Sequence, residues 1–365
     1  MGFDPVSYAL GKAAGSGGGG GGGGGVSPKQ VNFIDYDGTV LYAYTAQEAN
    51  ALSALPANPS HSGLTAQGWN WTLAQIKAQL TAVPDAPVWV GQMYVTQSGD
   101  TEIDVRFADA ARLSPILTIA VNGTVTVDWG DNTTADTVTG SSLTTRQAVP
   151  HTYAAPGDYT MKIHVVSGSF TFYGSNSYVI LRKNTTGNEN GVYANCVHAV
   201  RLGIGITSIG GGAFYNCYSL ASLTIPSSVT SIGENAFNNC YSLASLTIPS
   251  GVTSIGNNAF NNCYSLASLT IPSSVTSIGG GAFYYCYSLA SLTIPSGVTS
   301  IGNSAFYSCY GVAEYHIKPT SVPTGGTTMF SSIVSDCVIY VPTALLNSYK
   351  TATNWSTYAS YMQGE

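Results

Sequence analysis

Seven cysteines are the residues whose spacing most invites chemistry, since thiolates ligate metals and pair into disulfides. Five of them, Cys217, Cys240, Cys263, Cys286 and Cys309, recur every 23 residues. Zinc sites want cysteines two to four residues apart, and no such pair exists. Disulfide pairing of an odd number leaves one thiol over. A regular period instead places one thiol at the same point of successive structural units. The expectation is therefore an internal ladder of buried, reduced cysteines, no metal, and assembly in a reducing compartment. His61, His151, His164, His198 and His316 are isolated, with no spacing that suggests ligands. No glycine-rich stretch is followed by Lys-Ser/Thr, and no G-x-S-x-G elbow occurs, so no cofactor is expected.

One motif argues for an enzyme. FIDYDGTV, residues 33–40, resembles the first motif of haloacid-dehalogenase-type phosphatases. The resemblance implies Asp35 as nucleophile on phosphorus and Asp37 as general acid, with magnesium between the carboxylates and phosphate. That chemistry also needs a Ser/Thr and a Lys for phosphate, a later acidic pair and several βαβ units. Fewer than 80 residues separate Asp35 from the next module, and Lys77 is the only lysine among them. A hairpin turning at Asp37-Gly38 accounts for the same letters, and no enzymatic activity is expected.

The elements that position these residues are repeats. From Tyr218 the text YSLASLTIPSSVTSIG..AF..C recurs, with phenylalanines at Phe214, Phe237, Phe260, Phe283 and Phe306. Within one unit, Leu220, Leu223 and Ile225 alternate with polar residues as in a strand. Pro226 ends that strand, Val229 and Ile232 face inward again, and Gly233 permits a corner. One unit cannot bury this face alone; stacked units can, and atypical ends must cap them. A helix is expected from Thr343 to about Tyr361 as the C-terminal cap.

The pattern L..L.IP..V..IG..AF..C resembles the BspA-type leucine-rich repeats of bacterial surface proteins over roughly residues 190–340, and CVIYVPTALLNSYKTATNW resembles that family's end cap. The resemblance implies a solenoid used for adhesion rather than catalysis. Upstream, VTVDWGDNTTADTV and HTYAAPGDYTMKIHVV resemble a polycystic-kidney-disease (PKD) domain, an immunoglobulin-like sandwich used as a spacer. Its Asp128 and Asp131 are expected to form turns rather than a cation site. MGFDPVSYALGKAAG, the glycine run Gly17 to Gly25 and LPANPSHSGLTAQGWNWTLAQIK resemble segments of tail-associated proteins of gut phages and prophages. Between them, a capping box Thr45–Glu48 opens a helix, WNWTLAQIKAQL reads as a second helix, and VWVGQMYV with TEIDVRF as a hairpin across Ser98-Gly99.

Only 8% of residues are charged, against roughly 25% in a soluble domain. The 12 Lys+Arg are scattered and the net charge is −6, which excludes a nucleic-acid stripe. No apolar run reaches the roughly 18 residues of a membrane span. Between copies the repeats are nearly invariant except at four positions flanking Ala-Phe. These read Gly211, Gly212, Tyr215, Asn216; Glu234, Asn235, Asn238, Asn239; Asn257, Asn258, Asn261, Asn262; Gly280, Gly281, Tyr284, Tyr285; and Asn303, Ser304, Tyr307, Ser308. Variation confined to such residues suits a diversified contact surface. After each cysteine stands a tyrosine (Tyr218, Tyr241, Tyr264, Tyr287, Tyr310), and stacked rings would give an aromatic platform for sugars. The candidate ligand-binding residues are thus Tyr215, Asn216, Asn238, Asn239, Asn261, Asn262, Tyr284, Tyr285 and Tyr307, together with the five-tyrosine series.

The expected architecture is multidomain and mostly β. It comprises an attachment segment and polyglycine linker (1–25), a small α+β module (26–110) and a PKD-like sandwich (111–172). A connector and N-terminal cap (173–196), a leucine-rich-repeat solenoid (197–336) and a C-terminal cap (337–365) follow. The expected role is non-enzymatic receptor binding at a phage or prophage tail, assembled in the host cytoplasm, or else a bacterial cell-surface adhesin. The expected partners are a host-surface glycan or protein and, through the N-terminus, other tail proteins; a homo-oligomer, trimers included, is compatible with the sequence.

Overall fold

The computed structural model describes residues 30–34, 40–62, 64–69, 71–82, 88–96, 98–172, 180–183 and 191–365. Asp35, Asp37, the turn at Gly38, the glycine run and the opening segment lie outside them. Among the described residues no helix is long and apolar enough to cross a membrane.

Two apolar cores organise the chain. The smaller belongs to the α+β module, built from β1 (Val31–Ile34), β2 (Val40–Tyr44), α1 (Ala46–Ala51), β3 (Leu64–Trp69), α2 (Leu73–Ala82) and β4 (Val88–Thr96). Its sheet has the order β2-β1-β4-β3, with β1 and β4 parallel. The capping box forms as expected: Thr45 Oγ1 accepts from the Glu48 N–H, and the Glu48 carboxylate accepts from the Thr45 N–H at 2.7 Å.

The hairpin expected across Ser98-Gly99 does not form. Gly99, at φ +78°, does turn the chain. However, β4 lies between β1 and β3, so both its edges are already paired. The next strand, β5 (Thr101–Phe107), crosses instead to a second sheet, where Ile103, Val105 and Phe107 are buried in the larger core.

That second sheet contains β6 (Ile116–Asp128), β7 (Asp136–Pro150), β8 (Gly157–Phe172), β9 (Leu181–Arg182) and, after the short α3 (Gly191–Ala194), β10 (Val197–Arg201). The strands expected as a PKD-like sandwich pair as one sheet, bulged between Ala120 and Asn122. Its motif residues have structural employment. Asp128 and Asp131 accept from the backbone N–H two residues on (Gly130, 2.9 Å; Thr133, 3.2 Å), the turn role expected of them. Trp129 is fully buried, its indole donates to Asp136 at 2.7 Å, and His151 stacks on it at 4.5 Å.

The sheet runs straight into the solenoid. β10 pairs antiparallel with β5 and parallel with Ser222–Thr224, the first repeat strand. Across this seam Arg201 donates to Asp104 at 2.7 and 2.8 Å and to Glu102 at 2.9 Å. Although burial opposes it, the guanidinium holds the Asp104 carboxyl below the usual range.

Each coil contributes a Leu-Thr strand (Ser222–Thr224, Ser245–Thr247, Ser268–Thr270, Ser291–Ile294) and a Ser-Ile strand (Ser231–Ile232, Ser254–Ile255, Ser277–Ile278, Ser300–Ile301). The Ser-Ile strands pair in register 23 residues apart, Ser231 on Ser254 on Ser277 on Ser300. The phenylalanines stack face to face from Phe214 to Phe330 at centroid spacings of 5.2–5.6 Å. Phe172 from β8 closes one end of this column, and Trp355 closes the other. All seven cysteines are buried free thiols. Beyond filling the core, the thiols donate: Cys263 Sγ lies 3.4 Å from the Phe237 carbonyl one coil back, and Cys240, Cys286 and Cys309 repeat the contact. Gly233 is needed for close approach rather than for a corner, since a Cβ there would come within 2.6 Å of the Gly211 nitrogen.

The C-terminal cap is not one helix from Thr343 to Tyr361. A 3₁₀ turn leads into α4 (Leu346–Thr351), the chain extends at Ala352, and Asn354 takes φ +64° before a second 3₁₀ turn. The break seats Trp355 in the core, its indole donating to the Pro323 carbonyl at 2.8 Å. Burial of this side chain outweighs continuity of a weak helix.

Candidate ligand-binding face

The solenoid has two sheet faces with different fates. The Leu-Thr face of the early coils is covered by the chain itself. β4 packs on the Ser245–Thr247 and Ser268–Thr270 strands, Gly91 sits directly against Thr247, and the Gln67 side chain accepts from the Ser227 N–H at 2.9 Å. Thr224, Ser245 and Thr270 are buried in consequence. Contact with the α+β module and neighbouring coils constrains these positions, which accounts for their near-invariance between copies.

The Ser-Ile face is open. It floors a wide groove of roughly 1070 Å³ running from Glu234 to Gly326, at the upper end of ligand-binding clefts. Glu234, Asn257 and Asn303, which fill the first variable position of their coils, are exposed beside it, and Asn261 and Tyr284, from the third, line it as well. Glu234 is the only charged residue among those lining the groove. Burial first, then the neighbouring Tyr285 phenol, pushes the Tyr284 hydroxyl up to about 12, so it stays neutral at physiological pH.

The second and fourth variable positions have a backbone explanation. Gly212, Asn235, Asn258, Gly281 and Ser304 all have positive φ, as do Asn216, Asn239, Asn262, Tyr285 and Ser308. Left-handed backbone favours Gly and Asn, so restricted variation here reflects conformation as well as surface. Asn216, Asn239 and Asn262 further form an amide ladder, in which Asn239 Nδ2 donates to Asn216 Oδ1 and Asn262 Nδ2 to Asn239 Oδ1, both at 2.7 Å. Asn238 donates to Asn235 at 2.9 Å.

A family model for the BspA type leucine rich repeat region matches residues 207–337 in six copies. A T. pallidum leucine-rich-repeat protein of known structure is 31% identical, the match covering 44% of this chain and 69% of that one with a TM-score of 0.36. The chain belongs to the leucine-rich-repeat proteins, and its repeats are of the BspA type. A leucine-rich cell surface protein of Faecalibacterium prausnitzii is 30% identical (TM-score 0.32), with 43% of this chain and 52% of that one covered. A Bacteroides ovatus leucine-rich-repeat protein is 21% identical (TM-score 0.32), with 48% and 62% covered. This chain therefore spans about half to two thirds of those proteins. No curated protein matches it.

In this BspA-type solenoid the five-tyrosine series is not a platform. Tyr218, Tyr241, Tyr264, Tyr287 and Tyr310 stack nearly parallel at 4.7–5.5 Å, so ring faces cover one another and only the last ring, Tyr310, is strongly exposed. Tyr215 lies against the core cluster. What the fold does bring together is an aromatic corner in the late coils. Tyr284 stacks on Tyr307 at 4.6 Å, Tyr285 meets Tyr284 edge-on at 4.3 Å, and Tyr287 lies 5.4 Å from Tyr285. Residues missed as site members are Glu234, Asn257, Asn258 and Asn303. The first variable position alone changes between glycine, amide and carboxylate, a signal that reading all four positions together obscured.

Tyr285 interrupts the amide ladder. It is the only aromatic residue with positive φ among the described residues (φ +62°), and with no amide there the buried Asn262 Oδ1 finds no donor. Replacing it by the residue of the three preceding coils, Tyr285→Asn, relieves the backbone and extends the ladder. A gain of about 1 kcal/mol in unfolding free energy is expected, measured by urea denaturation. A loss would mean that Tyr285 packing outweighs both terms.

Proposed function

We propose that this protein is a non-enzymatic recognition module that binds a surface ligand through the open Ser-Ile face of its solenoid. One observation carries the reading: side chains that differ between otherwise near-identical coils border the open groove, while the invariant Leu-Thr face of the early coils is occupied by the chain's own α+β module. The seam between β5 and β10 supports a further step, in which the upstream sheet acts as a stiff spacer in the manner of a PKD domain.

Display on a bacterial cell surface fits the similarity to the Faecalibacterium leucine-rich cell surface protein. A phage-tail location is the second reading, favoured by the resemblance of the opening segment, the glycine run and residues 55–77 to tail-associated proteins. The partner is a host-surface glycan or protein.

The test uses the full chain, labelled and incubated with panels of gut bacterial and epithelial cells. Saturable binding that the variant Glu234→Ala/Asn257→Asp/Asn303→Asp, whose carboxylates still accept from the Gly280 and Thr327 N–H, weakens at least ten-fold, with an unchanged melting curve, is expected. Undiminished binding by that variant would move the site off this face. Turnover of a phosphomonoester that disappears in Asp35→Asn would overturn the non-enzymatic reading.

A further inference from the structure

Resting on the recognition reading above, we infer that the groove takes a neutral, multiply hydroxylated chain, an oligosaccharide without acidic sugars or sulfate, anchored at Tyr284, which Tyr307 holds in place by stacking.

Several observations converge on that chemistry. The groove crosses five coils, from Glu234 to Gly326, or about 19 Å at the roughly 4.8 Å spacing of paired strands. An extended ligand fits it better than a compact one. Along its length the reachable groups are amides and hydroxyls: Asn257, Asn258, Asn261, Asn303 and the serines of the Ser-Ile strands. The Oδ1 atoms of Asn257 and Asn303 accept from the Gly280 and Thr327 N–H at 2.8 Å, which fixes both amides and turns their Nδ2 groups into donors for ligand hydroxyls, while the strand serines can donate or accept. At the late-coil end Tyr284 adds a ring whose stacking on Tyr307 fixes its orientation before any ligand arrives, so little side-chain entropy is lost on binding.

Other ligand classes fit less well. An anion needs cations, and neither Lys nor Arg lines the groove. An apolar chain would leave the amides without water or partner. A peptide adding to the sheet needs a free edge, and the interior Ser-Ile strands are hydrogen-bonded on both sides.

The repeats themselves supply a test that preserves the fold. Tyr284 and Tyr307 occupy the position that Asn238 and Asn261 fill in earlier coils, so Tyr284→Asn/Tyr307→Asn places residues this coil already accommodates. The full chain is applied to an array holding neutral, sialylated and sulfated oligosaccharides, and the strongest binder is titrated calorimetrically. The expected result is binding confined to neutral oligosaccharides, an affinity that changes less than two-fold between 50 and 500 mM salt, and at least a ten-fold loss in the double variant with the melting temperature retained. Preference for acidic glycans, or full affinity in the double variant, overturns the inference. Binding to cells that survives removal of their glycans also overturns it while leaving the recognition reading standing. Absence of binding to both cells and glycans removes both.

Discussion

Raising the pH from 8 to 11 is expected to unfold the solenoid in a steep transition. The cause is the ladder of buried thiols. Burial pushes Cys196 up to about 11 and Cys309 and Cys337 up to about 12, and lifts the remaining four further. In the unfolded chain a thiol ionises near 8.5 to 9. Below that range both states hold the proton and the thiols contribute no pH dependence. Above it only the unfolded state releases protons, so each thiol lowers stability by about 1.4 kcal/mol per pH unit until its folded-state value is reached. The seven thiols together remove on the order of 10 kcal/mol per pH unit, comparable with the whole stability of a typical domain. Lys318 acts oppositely: burial lowers it to about 8, so alkali relieves its cost between about 8 and 10.5, but it is one group against seven. Circular dichroism at constant ionic strength measures the transition. In Cys240→Ala/Cys263→Ala the slope should flatten by about 2.8 kcal/mol per pH unit. A native signal unchanged to pH 11, or thiols that react with a disulfide reagent at pH 8 without denaturant, would show that the ladder is not sealed.

The second large effect concerns the phenylalanine column. Phe260 is fully buried, with Phe237 at 5.2 Å on one face and Phe283 at 5.4 Å on the other. Phe260→Ala deletes a ring the neighbouring coils cannot replace, and a loss of about 3–5 kcal/mol is expected. Stacked coils are held by nearest-neighbour interfaces, and a central rung serves two of them. The same change at Phe330, which also leans on Tyr315, Trp355 and Tyr358, is expected to fray the C-terminal cap before the central coils. Denaturation followed by the Trp355 indole N–H resonance and by circular dichroism separates these outcomes. A cost below about 1 kcal/mol at Phe260 would mean that the coils do not share a continuous core.

Much of this was legible because repetition averages out local ambiguity. One copy of LTIPSSVTSIG is too short to distinguish strand from turn, but copies in a fixed frame with Phe and Cys at constant points admit one arrangement. The Thr45–Glu48 box was legible for a different reason, since both partners lie within one turn of helix. The exit of β5 to another sheet was not: Ser98-Gly99 does encode a turn, but occupancy of both β4 edges is a property of strands distant in sequence. The cover over Thr224 and Thr270 was hidden likewise, because polar residues in a strand read as solvent-facing unless a second module is known to land on them. At the candidate site, residue types at the four variable positions were legible, but their left-handed backbone was not, because Asn, Ser and Tyr at a corner do not announce positive φ as glycine does. That gap merged the amide ladder, which is structural, with the groove wall, which is free to differ.

The matched geometry of the coils bears on how such a protein can change over generations. Where near-identical 23-residue units keep near-identical codons, their coding stretches misalign and recombine readily. An unequal exchange then inserts or deletes a complete rung in phase, with Phe172 and Trp355 still closing the two ends. The groove would lengthen or shorten in steps of about 4.8 Å, giving descendants of different reach without a redesign of the fold.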